Sequence, residues 1–212
     1  MRYRIGYIDE SIRQVQIYER LLRRDFEVIG YTITKGMSLK SLLKQVYESG
    51  IDLLMVDYLM VDTGILTFNG DRVAREYEKI KPRFPILIFT NRHVDAFHSV
   101  DNPNIIYDKG EVRNRRVHFV EVLNKNIELY RNYIDQRKDI IKKLTDKGAK
   151  KRLSSMEKHQ LLEAQQELNS LDKWNVQIPL QLLDENKIED LEKTAKDAKR
   201  FLNSLIKRSK NK

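Results

Sequence analysis

The sequence predicts an α/β domain built on a doubly wound parallel sheet, followed by an all-α half. Three observations carry this. Five short apolar runs alternate with segments whose apolar residues recur at helical spacing, the pattern of a parallel sheet with helices on both faces. The central run, Ile51-Asp52-Leu53-Leu54-Met55-Val56-Asp57, is apolar at nearly every position rather than at every second one, so its strand is buried on both faces. From Glu111 onward the spacing is purely helical.

Taken in order, Arg4-Ile5-Gly6-Tyr7-Ile8 is the first strand and runs into Asp9-Glu10. Ile12, Val15, Ile17, Tyr18, Leu21 and Leu22 then mark a helix. Glu27 to Thr32 is a second strand. Ser38 is an N-cap for a helix carrying Leu39, Leu42, Leu43, Val46 and Tyr47, which Gly50 closes. After the central strand, Asn69-Gly70 makes a turn, and Val73, Ala74, Tyr77 and Ile80 mark a third helix. Pro82 and Pro85 end it before the strand Pro85–Phe89. Only 13 residues, Asn91 to Pro103, precede the last strand at 104–108, so the fourth helix is expected to be short or irregular. His93 and His98 within it are five apart, the wrong spacing for a metal site on one helix face.

In an open α/β sheet, ligands sit beyond the carboxyl ends of the strands. Here those ends carry Asp9-Glu10, Asp57, Thr90 and, after Asp108, Lys109. Asp52 stands five residues before Asp57 and Met60 three after it. With these residues the chain resembles the receiver domain of two-component response regulators over about residues 3–114. The resemblance implies a flavodoxin-like (CheY-like) five-stranded sheet. It also implies phosphotransfer from a histidine kinase or phosphotransfer protein to Asp57, which makes the chain a phosphoacceptor rather than an enzyme acting on a separate substrate. Mg²⁺ would be held by Glu10 and Asp57, with Asp9 nearby through water and the backbone carbonyl of Leu59. Lys109 would pair with the phosphoryl group, and Thr90 would donate its hydroxyl to it. Which acid of the Asp9-Glu10 pair binds directly carries a one-residue ambiguity; matching the following helix selects Glu10.

Two places depart from the receiver pattern. Val61 and Gly110 stand where receivers commonly carry Pro. Residues 61–68 form a lengthened loop beside the proposed site, read either as a shaper of access or as a surface insertion.

In the second half, Val120, Leu123, Ile127, Tyr130, Ile134, Arg137, Ile141 and Leu144 fall on a heptad seam. A helix of about 30 residues spans about 45 Å, so its far end must leave the sheet. Arg137 interrupts the seam and calls for an acid such as Asp135 or Asp139 from a neighbour. Asp146-Lys147-Gly148 is expected to end this helix. Ser154 with Glu157 forms a capping box for the next, whose seam is Leu161, Ala164, Leu168 and Leu171. Trp174 to Leu180 reads as an extended linker with Trp174 as a packing anchor. A third helix carries Ile188, Leu191, Ala195, Ala198, Leu202 and Leu205.

The division is therefore 1–114, receiver-like, and 115–212, a helical output or dimerisation domain. The 212 residues, 41% apolar and 33% charged, suffice for a core and a wet surface. No cysteine is present, which excludes disulfides and thiolate metal sites and fits the cytoplasm. No leader-like or membrane-spanning apolar stretch appears. Net charge is +9, and residues 115–212 hold 23 Lys/Arg against 15 Asp/Glu. Because acids and bases are interleaved, a solvated bundle face is favoured over a nucleic-acid surface. The expected output is a protein partner bound through the helical half, with a homodimer as a further expectation. The alternatives are a phosphorylation-independent pseudo-receiver scaffold, or nucleic-acid binding by the basic half.

Overall fold

The computed structural model describes residues 2–31, 33–61 and 64–175, with backbone alone at 111 and 112. The chain forms two compact units, Met1–Trp174 and Asn175–Lys212. The seam from Ile188 to Leu205 and nearly all of the linker after Trp174 lie outside the described residues.

The elements are β1 (Arg4–Ile8), α1 (Ile12–Leu22), β2 (Glu27–Gly30), α2 (Leu39–Glu48), β3 (Leu53–Asp57) and α3 (Gly70–Ile80). They continue with β4 (Ile86–Thr90), α4 (His93–Ser99), β5 (Ile106–Asp108), α5 (Lys109–Asn114), α6 (Arg116–Lys150) and α7 (Ser155–Ser170). All strands pair in parallel, in the order β2-β1-β3-β4-β5. This is the flavodoxin-like, CheY-like order, and its topological switch point lies between β1 and β3. Every residue of β3 and β4 is buried, as their uninterrupted apolar runs require.

Side chains alternate across the sheet. Ile8, Leu54, Val56, Ile86 and Ile88 pack with residues of α2 and α3. Ile5, Tyr7, Leu53, Met55, Leu87 and Phe89 pack with Tyr18 and Leu22 of α1 and with Phe119, Leu123 and Ile127 of α6. The first three turns of α6 thus cover the sheet beside α1, past the expected boundary at residue 114.

Local signals act as expected at several places. The Ser38 hydroxyl accepts the Ser41 amide at 3.1 Å, and Gly50 takes the left-handed conformation, φ 61°. Helix α4 has seven residues. Where it stops, a cleft of about 350 Å³ opens between α3 and α6, lined by Phe84, Ile105, Leu129, Tyr130 and Tyr133 among others. The last strand begins later than its apolar run, because Asn102 Oδ1 accepts the Asn104 amide at 3.1 Å and folds 103–105 into a 3-10 turn. The loop before α3 is no plain surface insertion: Leu66 and Phe68 are buried in the core with Tyr58 and Met60.

Helix α6 has 35 residues, about 52 Å at 1.5 Å per residue. It runs through Gly148 to Lys150 instead of ending at 146–148, and Leu153 folds back over that glycine. The Ser154–Glu157 capping box is formed in both directions. Arg137 is satisfied neither by Asp135 nor by Asp139. Its Nε meets Glu167 Oε2 of α7 at 2.6 Å, and its guanidinium lies over the Tyr133 ring. The turn at 151–154 brings α7 back along α6, which sets Glu167 opposite Arg137.

The α6–α7 hairpin touches the α/β part at both ends. Arg131 of α6 pairs with Asp52 at 2.6 Å, and Asp52 also accepts the Arg4 amide at 2.8 Å. Beyond α7, the Lys173 amide donates to Ile80 O at 2.9 Å, and the Tyr47 hydroxyl donates to Asp172. Trp174 packs on the Tyr47 ring at 4.9 Å.

Candidate functional site

The fold gathers the strand-end residues at one edge of the sheet. Register places Asp57 beside Phe89 and Thr90 beside Asp108, so Asp57, Thr90 and Lys109 leave neighbouring strands at the same level. Asp9 follows β1 on the other side of β3. Among the described residues the buried polar or charged side chains are Asp9, Asp57, Thr90 and Lys109, each no more than 8% exposed. Burying charge costs free energy unless it is paired, and their grouping at the switch point marks a site.

Lys109 bridges the acids. Its Nζ lies 2.9 Å from Asp57 Oδ1 and 2.9 Å from Asp9 Oδ2. Asp9 Oδ2 also accepts the Tyr7 hydroxyl at 2.6 Å, and Asp9 Oδ1 accepts the Ser11 amide at 2.9 Å. Glu10 completes a trio in which one ligand oxygen from each of Asp9, Glu10 and Asp57 lies within 4.8 Å of the others. Thr90 Oγ1 accepts the Arg92 amide at 2.8 Å, which leaves its hydrogen to donate.

Three carboxylates and one ammonium leave a formal charge of −2. Burial pushes the Asp57 carboxyl up to about 6, against the pull of Lys109 and with repulsion from Asp9 and Glu10. Burial opposes the charge of Lys109, yet Asp57 and Asp9 hold it above the ordinary ammonium value. Burial and then Asp9 raise the Tyr7 phenol, which stays a donor. The donor set fits a divalent cation. Its ligands are hard oxygens, its charge balances +2, and its atoms stand close enough to share one ion. Leu59, the expected carbonyl ligand, lies between two pinned residues: the Tyr58 amide donates to Phe89 O, and the Met60 amide to Asn69 Oδ1.

At Gly110, one of the two departures from the receiver pattern, Asp108 holds the turn. Its Oδ1 accepts the Gly110 amide at 2.6 Å, and the Tyr18 hydroxyl donates to the Lys109 carbonyl at 3.3 Å. The structure therefore brings together Asp9, Glu10, Asp57, Thr90 and Lys109. Two contributors were not read from the strand ends. Tyr7 was read only as part of a strand. Gly70 was read as a turn residue, but a Cβ there would stand 2.1 Å from the Asp57 carbonyl oxygen. The Asn-Gly pair is in fact a close approach: Asn69 stands at the N-cap position of α3 with its Oδ1 accepting the Met60 and Val61 amides, and the Gly70 amide donates to Tyr58 O.

No protein-family model matches the chain, and no curated protein does. Solved structures similar to it include response regulator receiver domains, aligned over about 60% of its length. One is a response regulator receiver protein from Sinorhizobium medicae, 19% identical, covering 60% of this chain and 95% of that one, TM-score 0.46. Another is a receiver domain protein from Clostridium thermocellum, 20% identical, covering 61% and 97%, TM-score 0.45. An adenylate cyclase structure from Rhodopirellula baltica is 19% identical, covers 62% and 94%, and has a TM-score of 0.48. The fold itself rests on the parallel strand order β2-β1-β3-β4-β5 and its flanking helices, not on these values.

Proposed function

We propose that the chain is a phosphorylation-switched response regulator whose phosphoacceptor is Asp57. The observation that carries this is the buried Asp57 carboxylate at the end of the central strand, 2.9 Å from Lys109 and grouped with Asp9 and Glu10. An Asp57 oxygen attacks phosphorus, the phosphorus–nitrogen bond of a phosphohistidine breaks, and the imidazole leaves with the bond's electrons and takes up a proton. The product is an aspartyl phosphate. Glu10 and Asp57 would hold a Mg²⁺ ion, with the Leu59 carbonyl as a further ligand, and the ion would supply charge neutralisation for the phosphoryl oxygens. Lys109 moves from the carboxylates to a phosphoryl oxygen as a charge-assisted partner. Thr90 gives its hydroxyl hydrogen to another.

The chain's own chemistry is limited to this transfer and to hydrolysis of the aspartyl phosphate, in which water takes the phosphoryl group and leaves the Asp57 carboxylate and inorganic phosphate. Its phosphodonor is a histidine kinase or a phosphotransfer protein. Output passes through the α6–α7 hairpin to a protein partner, which meets the exposed Leu129, Met156 and Leu162. Incubation with acetyl phosphate and Mg²⁺, read by intact mass, tests the phosphoacceptor. One added phosphate on the wild type and none on Asp57→Asn is the expected result. A wild type left unmodified under conditions that label other receivers refutes it in favour of a phosphorylation-independent scaffold.

A further inference from the structure

Asp9 accepts three hydrogen bonds at the site. Its Oδ1 accepts the Ser11 amide at 2.9 Å, and its Oδ2 accepts both Lys109 Nζ at 2.9 Å and the Tyr7 hydroxyl at 2.6 Å. An ionised carboxylate offers about four lone-pair positions, two on each oxygen, so Tyr7 and Lys109 fill those of Oδ2. The Tyr7 contact is the shortest of the three and lies in the range of a charge-assisted O–H···O⁻ bond.

The backbone explains why a tyrosine can reach. Residues two apart on a strand share a face, and the ring of Tyr7 spans the distance along β1 to Asp9. That ring is fully buried. It is held edge-on by Tyr18 at 5.4 Å and by Phe89 at 6.2 Å between centroids. Packed in this way, the phenol cannot follow the carboxylate if Asp9 turns. Asp9 can turn Oδ2, or the plane of its carboxylate, towards a cation only by giving up the Tyr7 bond. The same orientation keeps Asp9 Oδ2 against Lys109, whose Nζ then stands beside Asp57.

We propose that Tyr7 is a positioning residue that holds Asp9 out of direct coordination, so that Glu10 and Asp57 bind the divalent cation while Asp9 anchors Lys109. The proposal rests on the phosphoacceptor reading above and adds the residue that divides the three acids between two tasks.

Calorimetric titration with Mg²⁺ tests it, together with the phosphorylation rate at saturating Mg²⁺. Tyr7→Phe is expected to bind Mg²⁺ about three- to tenfold more tightly, because one hydrogen bond no longer competes for Asp9. Its rate at saturating Mg²⁺ is expected to fall, because Asp9 drawn to the ion releases Lys109. A merely structural loss would weaken affinity and rate together. Tyr31→Phe, which removes a buried hydroxyl bonded to Ser49 at 2.8 Å away from the site, is expected to change neither. In an Asp9→Asn background the gain from Tyr7→Phe is expected to vanish. Unchanged or weaker Mg²⁺ binding by Tyr7→Phe, or an equal gain in the Asp9→Asn background, overturns the proposal. The wild type supplies a second readout that needs no variant. A downfield Tyr7 hydroxyl proton that persists at saturating Mg²⁺ supports the assignment, and its loss on Mg²⁺ binding overturns it. A wild type that takes up no Mg²⁺ overturns the phosphoacceptor reading itself, whereas uptake without a Tyr7→Phe effect overturns only the role of Tyr7.

Discussion

Asp57 is costly to the apo fold. Its carboxyl is pushed up to about 6 from 3.8, so burying it charged is unfavourable. The sign follows from linkage. Below pH 4 the carboxyl is protonated folded and unfolded, and the penalty is absent. It grows between pH 4 and 6 and is full above 6, where it reaches about 3 kcal/mol. Without Mg²⁺, Asp57→Asn is expected to melt higher than the wild type at pH 8, with the gain disappearing by pH 4. Mg²⁺ is expected to raise the wild-type melting temperature by mass action and to do far less for Asp57→Asn; a thermal melt across pH, with and without the ion, checks both. Gly70→Ala places a methyl group against the Asp57 carbonyl oxygen. It is expected to cost about 1–3 kcal/mol in urea unfolding and to slow labelling of Asp57. At this scale the sequence was readable where chemistry ends a strand: Asp57, Thr90 and Lys109 stand where their apolar runs stop. Tyr7 and Gly70 were not readable as site residues. One looks like any strand aromatic and the other like any turn glycine until the fold brings Asp9 and Asp57 against them.

Among the elements, α6 has two tasks that a heptad pattern cannot separate. Its seam residues Leu123 and Ile127, with Phe119, cover β1, β3 and β4, while Leu144 is buried farther along the same helix. The spacing of three and four is the same in both stretches, so the pattern shows an apolar stripe without showing what covers it. The Ser154–Glu157 cap, by contrast, is local chemistry and was legible in full, whereas the partner of Arg137 depended on the hairpin register. Phe119 stacks on Phe89 at 5.5 Å. Phe119→Ala is expected to cost about 3–5 kcal/mol in urea unfolding. Removal of Glu167, which is paired at a half-exposed position, is expected to cost about 1 kcal/mol or less. A fragment ending at residue 114 exposes Met55, Leu87 and Phe89 and is expected to aggregate or unfold. A fragment ending at Trp174 is expected to melt cooperatively, as circular dichroism would show.

At the scale of the whole molecule, the sheet and the hairpin of residues 1–174 are joined at both legs of the hairpin, through Arg131–Asp52 and through Tyr47–Asp172. In the proposed regulator a change at the Asp57 edge is expected to reach the hairpin through α6, which packs on the same strands. Leu129, Met156 and Leu162 are exposed on the two helices of the hairpin, and the proposed partner or second copy is expected to cover them. Light scattering with and without phosphodonor is expected to show a dimer; a monomer under both conditions leaves a different protein as the partner. All of this depends on Asp57 accepting phosphate, and one measurement tests that directly. After reaction with acetyl phosphate and Mg²⁺, borohydride reduces an aspartyl phosphate to homoserine, and peptide mass spectrometry locates it. Homoserine at position 57, absent when Mg²⁺ is chelated, is the expected result. An unmodified Asp57, or homoserine at another aspartate, contradicts the assignment.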